Sequence, residues 1–298
     1  SEMCIRDSAR PEPIALPELD LERLRAEDAV TDQHKDIPWR YGVEHEVYWN
    51  AEDQGVWTVE QGQMVWRMAI DGAASTCLAI RFSTFSVPKG GMLFIYSSDG
   101  NQVIGALDHR NMKPWGGLST DLIMGDGLGV EYRQPLTLNA APALVIDQVV
   151  QGYRPLGGWL DARGPGDSGD CNINVNCPEG ATWQTEKRSV ALILAGGGIC
   201  TGAMINNTAN DGTPYFLTAN HCLGNPQNWV YRFNFESANC TGSNGPTNQS
   251  VSGGTLLVSS GQSDFALLEL SQTPPESFDV QYAGWDASGT TPLNTCLL

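Results

Sequence analysis

The segment Tyr215-Phe-Leu-Thr-Ala-Asn-His-Cys222 ends an apolar run on a histidine with a cysteine beside it. A general base needs that placement, because the imidazole must be held while one side of the ring stays open to a reacting group. Upstream, Ile199-Cys-Thr-Gly-Ala-Met-Ile205 supplies Cys200, able to bridge to Cys222 and brace the histidine from behind. Downstream, Ser263-Asp-Phe-Ala-Leu-Leu-Glu-Leu270 opens an apolar strand with a single acid, Asp264. A carboxylate at the head of such a strand is expected to be drawn inward, where it needs a partner. An imidazole N–H from His221 would satisfy it and fix the ring tautomer, which is the orienting role in a Ser-His-Asp triad. His221 and Asp264 are the candidate catalytic pair.

The remaining histidines carry less. His45 and His109 read as surface or turn residues, and Asp71, Asp99 and Asp126 as turn residues rather than metal ligands. Eight cysteines fall at 4, 77, 171, 177, 200, 222, 240 and 296. Zinc is the rival reading to disulfides, but the chain has no C-x-x-C pair and its cysteine gaps match no zinc finger. Disulfides are the expectation, and with them an oxidising, secreted setting. No metal and no cofactor are expected.

The elements that must position these residues are β-strands. The chain has 298 residues, 41% hydrophobic and 17% charged, with 33 Gly and 17 Pro and few helix-period stretches. Its length predicts about two domains. Seventeen basic against 34 acidic residues give a net charge of −17, which repels phosphate backbones and argues against a nucleic-acid partner. No apolar run approaches the ~18 residues of a membrane span, so no membrane partner is expected. Residues 1–40 read as an N-terminal segment with a short helix between Pro11 and Val30, capped by Asp20. Residues 41–155 read as a β-sandwich of about nine short strands, divided by turns such as Asp71-Gly72, Ser98-Asp-Gly100 and Gly125-Asp-Gly127. A Gly/Pro/Asp-rich linker follows over 156–170. The block 171–298 then predicts a small barrel of six strands, near 190–194, 200–205, 215–218, 229–235, 254–258 and 265–270. Ser1–Arg10 has no apolar core of a signal peptide, and both chain ends read as edges of a fragment, which leaves Cys4 and Cys296 out of the disulfide arithmetic.

At Cys200-Thr-Gly, Leu217-Thr-Ala-Asn-His-Cys222 and Ser263-Asp-Phe-Ala-Leu-Leu-Glu-Leu270 the sequence resembles the first half of trypsin-like serine proteases. It is more similar to the secreted bacterial lysyl endopeptidases. Their catalytic domain opens with a stretch like Cys171-Asn-Ile-Asn-Val-Asn-Cys-Pro-Glu-Gly180, and they carry a loop like Asn206–Asp211 before the histidine strand. The resemblance covers roughly 166–290. It implies a chymotrypsin-like fold, a protein or peptide substrate, His221 as general base and Asp264 as its orienting carboxylate. It also implies disulfides Cys200–Cys222 and Cys177–Cys240, and cleavage after lysine. Asn220 stands where most trypsin-like enzymes carry a small residue. No Gly-x-Ser-Gly follows Leu270, so the nucleophile, the oxyanion-hole donors, the pocket and the second barrel are expected to lie outside this chain. Gly166-Asp-Ser-Gly169 spells the nucleophile motif but precedes the histidine; it aligns with the mature N-terminus of these enzymes, and Ser168 is read as a decoy. Arg163-Gly-Pro-Gly166 is the expected maturation site. Trp66-Arg-Met-Ala-Ile70, Leu93-Phe-Ile-Tyr96 and Gln151-Gly-Tyr-Arg154 resemble the pro-region ahead of these domains.

The leading expectation is thus a secreted serine endopeptidase precursor, truncated after its first barrel, inactive as it stands and monomeric when complete. The alternative is a secreted adhesion or binding protein of two β domains, the second a degenerate protease. The next ~100 residues of reading frame would separate them, since only the enzyme needs a nucleophile in its second barrel.

Overall fold

The computed structural model describes residues 11–34, 36–156, 173–240 and 245–291. Ser168, the Arg163–Gly166 segment, Cys4, Cys171 and Cys296 lie outside the described residues. The chain is all-β in class. It divides into two compact units, one of Ser1–Glu27 with Tyr41–Pro155, the other of Asp28–Arg40 with Leu156–Leu298. The one α-helix among the described residues, α1 (Leu21–Thr31), straddles that division. Asp20 Oδ1 accepts from the Arg23 amide at 3.0 Å and so caps it, and Arg23 pairs with Glu27 one turn on.

Chain order runs β1 (Ile14–Ala15), α1, β2 (Trp39–Arg40), β3 (Gly42–Asn50), β4 (Val56–Glu60), β5 (Gln63–Asp71), β6 (Cys77–Ser86) and β7 (Met92–Ser97). It continues with β8 (Val103–Leu107), β9 (Leu118–Ser119), β10 (Ile123–Met124), β11 (Gly127–Pro135) and β12 (Ala143–Gly152). In the N-terminal unit one sheet is ordered β1-β5-β11-β7-β8, with β4 on β5; the other is ordered β10-β6-β12-β3, with β9 on β6. Alternation along each strand sends every second residue inward. Trp66, Met68 and Ile70 of β5 and Val130 and Tyr132 of β11 therefore meet Leu78, Ile80 and Phe82 of β6 and Ile146 of β12 in a single apolar cluster. Each such side chain, fully buried, contributes roughly 1.5–3 kcal/mol. On the opposite face of β5, Arg67 is buried between two carboxylates, with Nε 2.6 Å from Glu131 Oε2 and a second nitrogen 2.9 Å from Glu60 Oε2. A guanidinium taken from water needs such partners on every side.

The C-terminal unit holds β13 (Val190–Ala195), β14 (Gly198–Met204), β15 (Tyr215–Thr218), β16 (Val230–Phe233), β17 (Ser250–Ser252), β18 (Gly254–Ser260) and β19 (Phe265–Leu270). Their order is β17-β16-β13-β14-β15-β19-β18, with β2 on β14. The two ends of that list, β17 and β18, are separated in sequence only by Gly253. Gly253 has φ of 84°, a conformation that costs other residues a Cβ clash. One bent strand thus pairs with β16 on one side and β19 on the other, and the sheet curls back on itself. Inside it Met204, Phe216, Trp229, Tyr231, Phe233 and Leu268 form the core. The rings of Phe216 and Tyr231 meet edge-on with centroids 5.0 Å apart. β17 is the strand that composition does not signal: Ser-Val-Ser has one apolar residue and no alternation to read.

Two ties close the ends of this unit. Cys177 is bonded to Cys240, and nearby Lys187 Nζ reaches Asn176 Oδ1 and Glu236 Oε1, each at 2.7 Å. Beyond β19 the chain returns to the sheet, where Ala283 bridges Ile205 and the Trp285 indole donates to the Asn206 carbonyl at 3.0 Å.

Candidate active site

β15 and β19 are antiparallel neighbours, with Thr218 opposite Ala266. The end of the first strand therefore lies beside the start of the second. His221 is three residues past Thr218 and Asp264 two residues before Ala266, so the pairing brings together groups 43 residues apart in sequence. Along β15, Phe216 and Thr218 point inward, and the Thr218 hydroxyl donates to the Thr201 carbonyl of β14 at 2.7 Å. The chain then turns in a single 3-10 turn, Asn220–Cys222, closed by the Cys222 amide donating to the Ala219 carbonyl. Cys222 is buried and bonded to Cys200 on β14, which anchors the residue directly after the histidine.

Asp264 holds His221 at two points. Its Oδ2 lies 2.8 Å from the imidazole Nδ1, and its Oδ1 accepts from the His221 backbone N–H at 2.9 Å. One carboxylate thus fixes both the ring and the main chain that carries it. The imidazole and backbone bonds hold the Asp264 carboxyl below the usual carboxylate range. An ionised carboxylate is acceptor-only, so Nδ1 is the donor in this contact and Nε2 is the ring nitrogen left facing away from Asp264. The backbone bond to Oδ1 has no side-chain signature in the sequence, which is why residue types alone did not reveal it.

The expectation that Asp264 is drawn into the interior is corrected. Its side chain is 52% exposed and that of His221 26%. Asp264 closes the turn ahead of β19 in a left-handed conformation, φ 50°, which Asp tolerates better than most residues. The turn lifts it off the sheet before the buried positions of β19 begin at Ala266. Leu217 and Val258, which flank Leu267 on either side, are exposed, as are Leu256 and Leu257.

Cys200 Sγ, Cys222 Sγ and a His221 ring nitrogen lie within 4.8 Å of one another. The two sulfurs are spent on a disulfide and are not thiolates, so this cluster does not fit a metal. His45 is engaged elsewhere, with Nε2 2.8 Å from Gln151 Oε1. His109 sits in a short turn capped by Asp108, and Asp99 accepts from Ser97 and Asn101 within its own turn.

Residues 165–297 match the family model described as lysyl endopeptidase, C-terminal domain. Over that segment the chain is similar to lysyl endopeptidases. Among curated relatives, a lysyl endopeptidase of Pseudomonas aeruginosa is 28% identical in an alignment of 240 positions that covers 73% of this chain and 50% of the relative. The chain thus spans about half the length of that curated relative. His221, Asp264 and both disulfides fall within the matched segment. No helix among the described residues is long and apolar enough to cross a membrane.

Proposed function

We propose that this chain is the pro-region and first catalytic barrel of a secreted, lysyl endopeptidase-like serine protease acting on protein or peptide substrates. The observation that carries this reading is the two-point hold of Asp264 on His221 inside the segment similar to lysyl endopeptidases. In this role His221 Nε2 takes the proton of a serine hydroxyl as that oxygen attacks the scissile carbonyl, and later returns it to the leaving amine. Asp264 stays ionised throughout, holds the tautomer and stabilises the imidazolium. The Cys200–Cys222 bond limits the motion of the turn that bears the histidine.

The nucleophile in this reading is a serine outside the present chain, and maturation near Arg163–Gly166 removes the N-terminal segment, residues 41–155 and the linker up to that point. That the chain spans about half the length of the lysyl endopeptidase it matches supports that reading. Cleavage after lysine is the specificity the relative's name suggests. The test is labelling with a serine-reactive fluorophosphonate, on this chain and on the protein translated through the remainder of its reading frame. The expected result is no label on this chain and one labelled serine on the longer, matured protein. Labelling of this chain at Ser168 would overturn the decoy assignment. An unlabelled longer protein would favour the degenerate, binding-only alternative.

A further inference from the structure

Asp28–Arg40 belongs to the C-terminal unit although the chain on both sides of it, up to Glu27 and from Tyr41, belongs to the N-terminal one. What holds it there is specific. β14 pairs with β15 only over Gly202–Met204, so its edge at Gly198–Thr201 is left without that neighbour. β2 fills the start of that gap, antiparallel, with Arg40 opposite Gly198 and Trp39 opposite Ile199. An unpaired strand edge offers a row of backbone donors and acceptors to any extended chain. The fit relies on a glycine, since a Cβ at Gly198 would stand 3.0 Å from the Pro38 Cβ. The two ends of the segment are clipped together by Arg40, whose Nε and a terminal nitrogen lie 2.9 and 2.8 Å from Asp28 Oδ1. Asp28 is buried and Arg40 partly so, which strengthens the clip relative to a surface pair. The residue after Ile199 is Cys200, whose sulfur lies within 4.8 Å of a His221 ring nitrogen.

We propose that β2 (Trp39–Arg40), clipped through Arg40 to Asp28, is a latch: a strand from the N-terminal part of this chain that occupies the β14 edge beside His221 and can leave it without unfolding the barrel. While seated, it denies that edge to any other extended polypeptide. Tethering favours the seated state, because a segment held in the same chain competes at an effective concentration near millimolar. The consequence for access to His221 rests on the protease reading; the docking does not.

The test uses this chain and two variants, followed by hydrogen–deuterium exchange and by binding of a fluorescent synthetic peptide of residues 28–40. In the unaltered chain, segments 37–41 and 197–200 exchange slowly and the peptide does not bind at micromolar concentration. Asp28→Ala removes a charge-assisted clip, so both segments are expected to exchange roughly tenfold faster or more. The strands β16 and β19 keep their exchange rates, and the added peptide, with its own clip intact, now binds. Adding Gly198→Val to Asp28→Ala fills the seat of Pro38 and abolishes that binding. Unchanged exchange in Asp28→Ala would overturn the latch. So would equal acceleration in β16 and β19, which would make the segment an integral strand, or a released edge that binds no peptide. None of these readouts involves turnover, so failure of the protease reading, seen by absent labelling, is distinguishable from failure of the latch.

Discussion

Removing the Cys200–Cys222 bond by replacing both residues with alanine tests how the barrel holds its histidine. The bond closes a loop of 22 residues that contains β15, most of β14 and the histidine turn. Restricting a loop of that length in the unfolded chain corresponds to about 11 cal/mol/K, or about 3.4 kcal/mol at 298 K. The same reasoning gives about 4.3 kcal/mol for Cys177–Cys240, whose ends are 63 residues apart. Domains of this size have total stabilities of roughly 5–15 kcal/mol, so the barrel without one bond should remain folded but much closer to its limit. Native-state exchange of the amides of β19 reads this directly: about 3.4 kcal/mol is a factor of about 300 in rate. Loss of the Cys177–Cys240 bond should give a factor of about 1,000 by the same measure. A second readout follows the downfield proton shared by His221 Nδ1 and Asp264. That signal should broaden when Cys222 is released, because the 3-10 turn is then held only by β15 and the Asp264 contacts. A loss below about 1 kcal/mol together with an unbroadened proton would refute the bracing role and leave β15 and Asp264 as sufficient.

Three further outcomes follow from the geometry. Asp264→Asn keeps the shape but removes the charge that selects the imidazole tautomer; the matured longer protein should lose roughly 10⁴-fold in kcat, measured on a peptide ester, with KM little changed. Glu60 is pulled from 4.5 to about 2 chiefly by its hydrogen bonds to Arg67, so its contribution is full above pH 4.5 and is lost as pH falls toward 2. The Tm gap between the unaltered chain and Glu60→Gln should therefore be widest above pH 4.5 and close near pH 2 in calorimetric scans. Gly202→Ala would place a Cβ 2.4 Å from the Phe216 ring and 2.5 Å from the Leu217 carbonyl oxygen, and should destabilise the barrel by about 1–3 kcal/mol in guanidinium titrations.

Much of the candidate site was legible because its signals are local. An apolar run ending in His-Cys, and an acid opening another apolar run, mark strand ends whatever the rest of the chain does. The strands at 190–195, 215–218 and 265–270 follow from short-range patterning, and the turn at Asp20 from capping chemistry. β17 was not legible, since three residues with one apolar side chain carry no period, and its existence depends on β16 being there to pair with.

The sequence by itself determined which residue types stand at strand ends, because side-chain alternation and turn chemistry act over a few residues. The all-β class and the candidate pair His221 and Asp264 could be named on that basis. Only the tertiary structure decided which strands became neighbours, and that is what turns 43 residues of separation into a 2.8 Å contact. It also decided that Asp264 stands in the open, that one of its oxygens binds main chain rather than side chain, and that Trp39–Arg40 lies on β14. Each of these depends on backbone groups and solvent exposure. Those are common to every residue and leave no mark in the sequence until distant segments have packed.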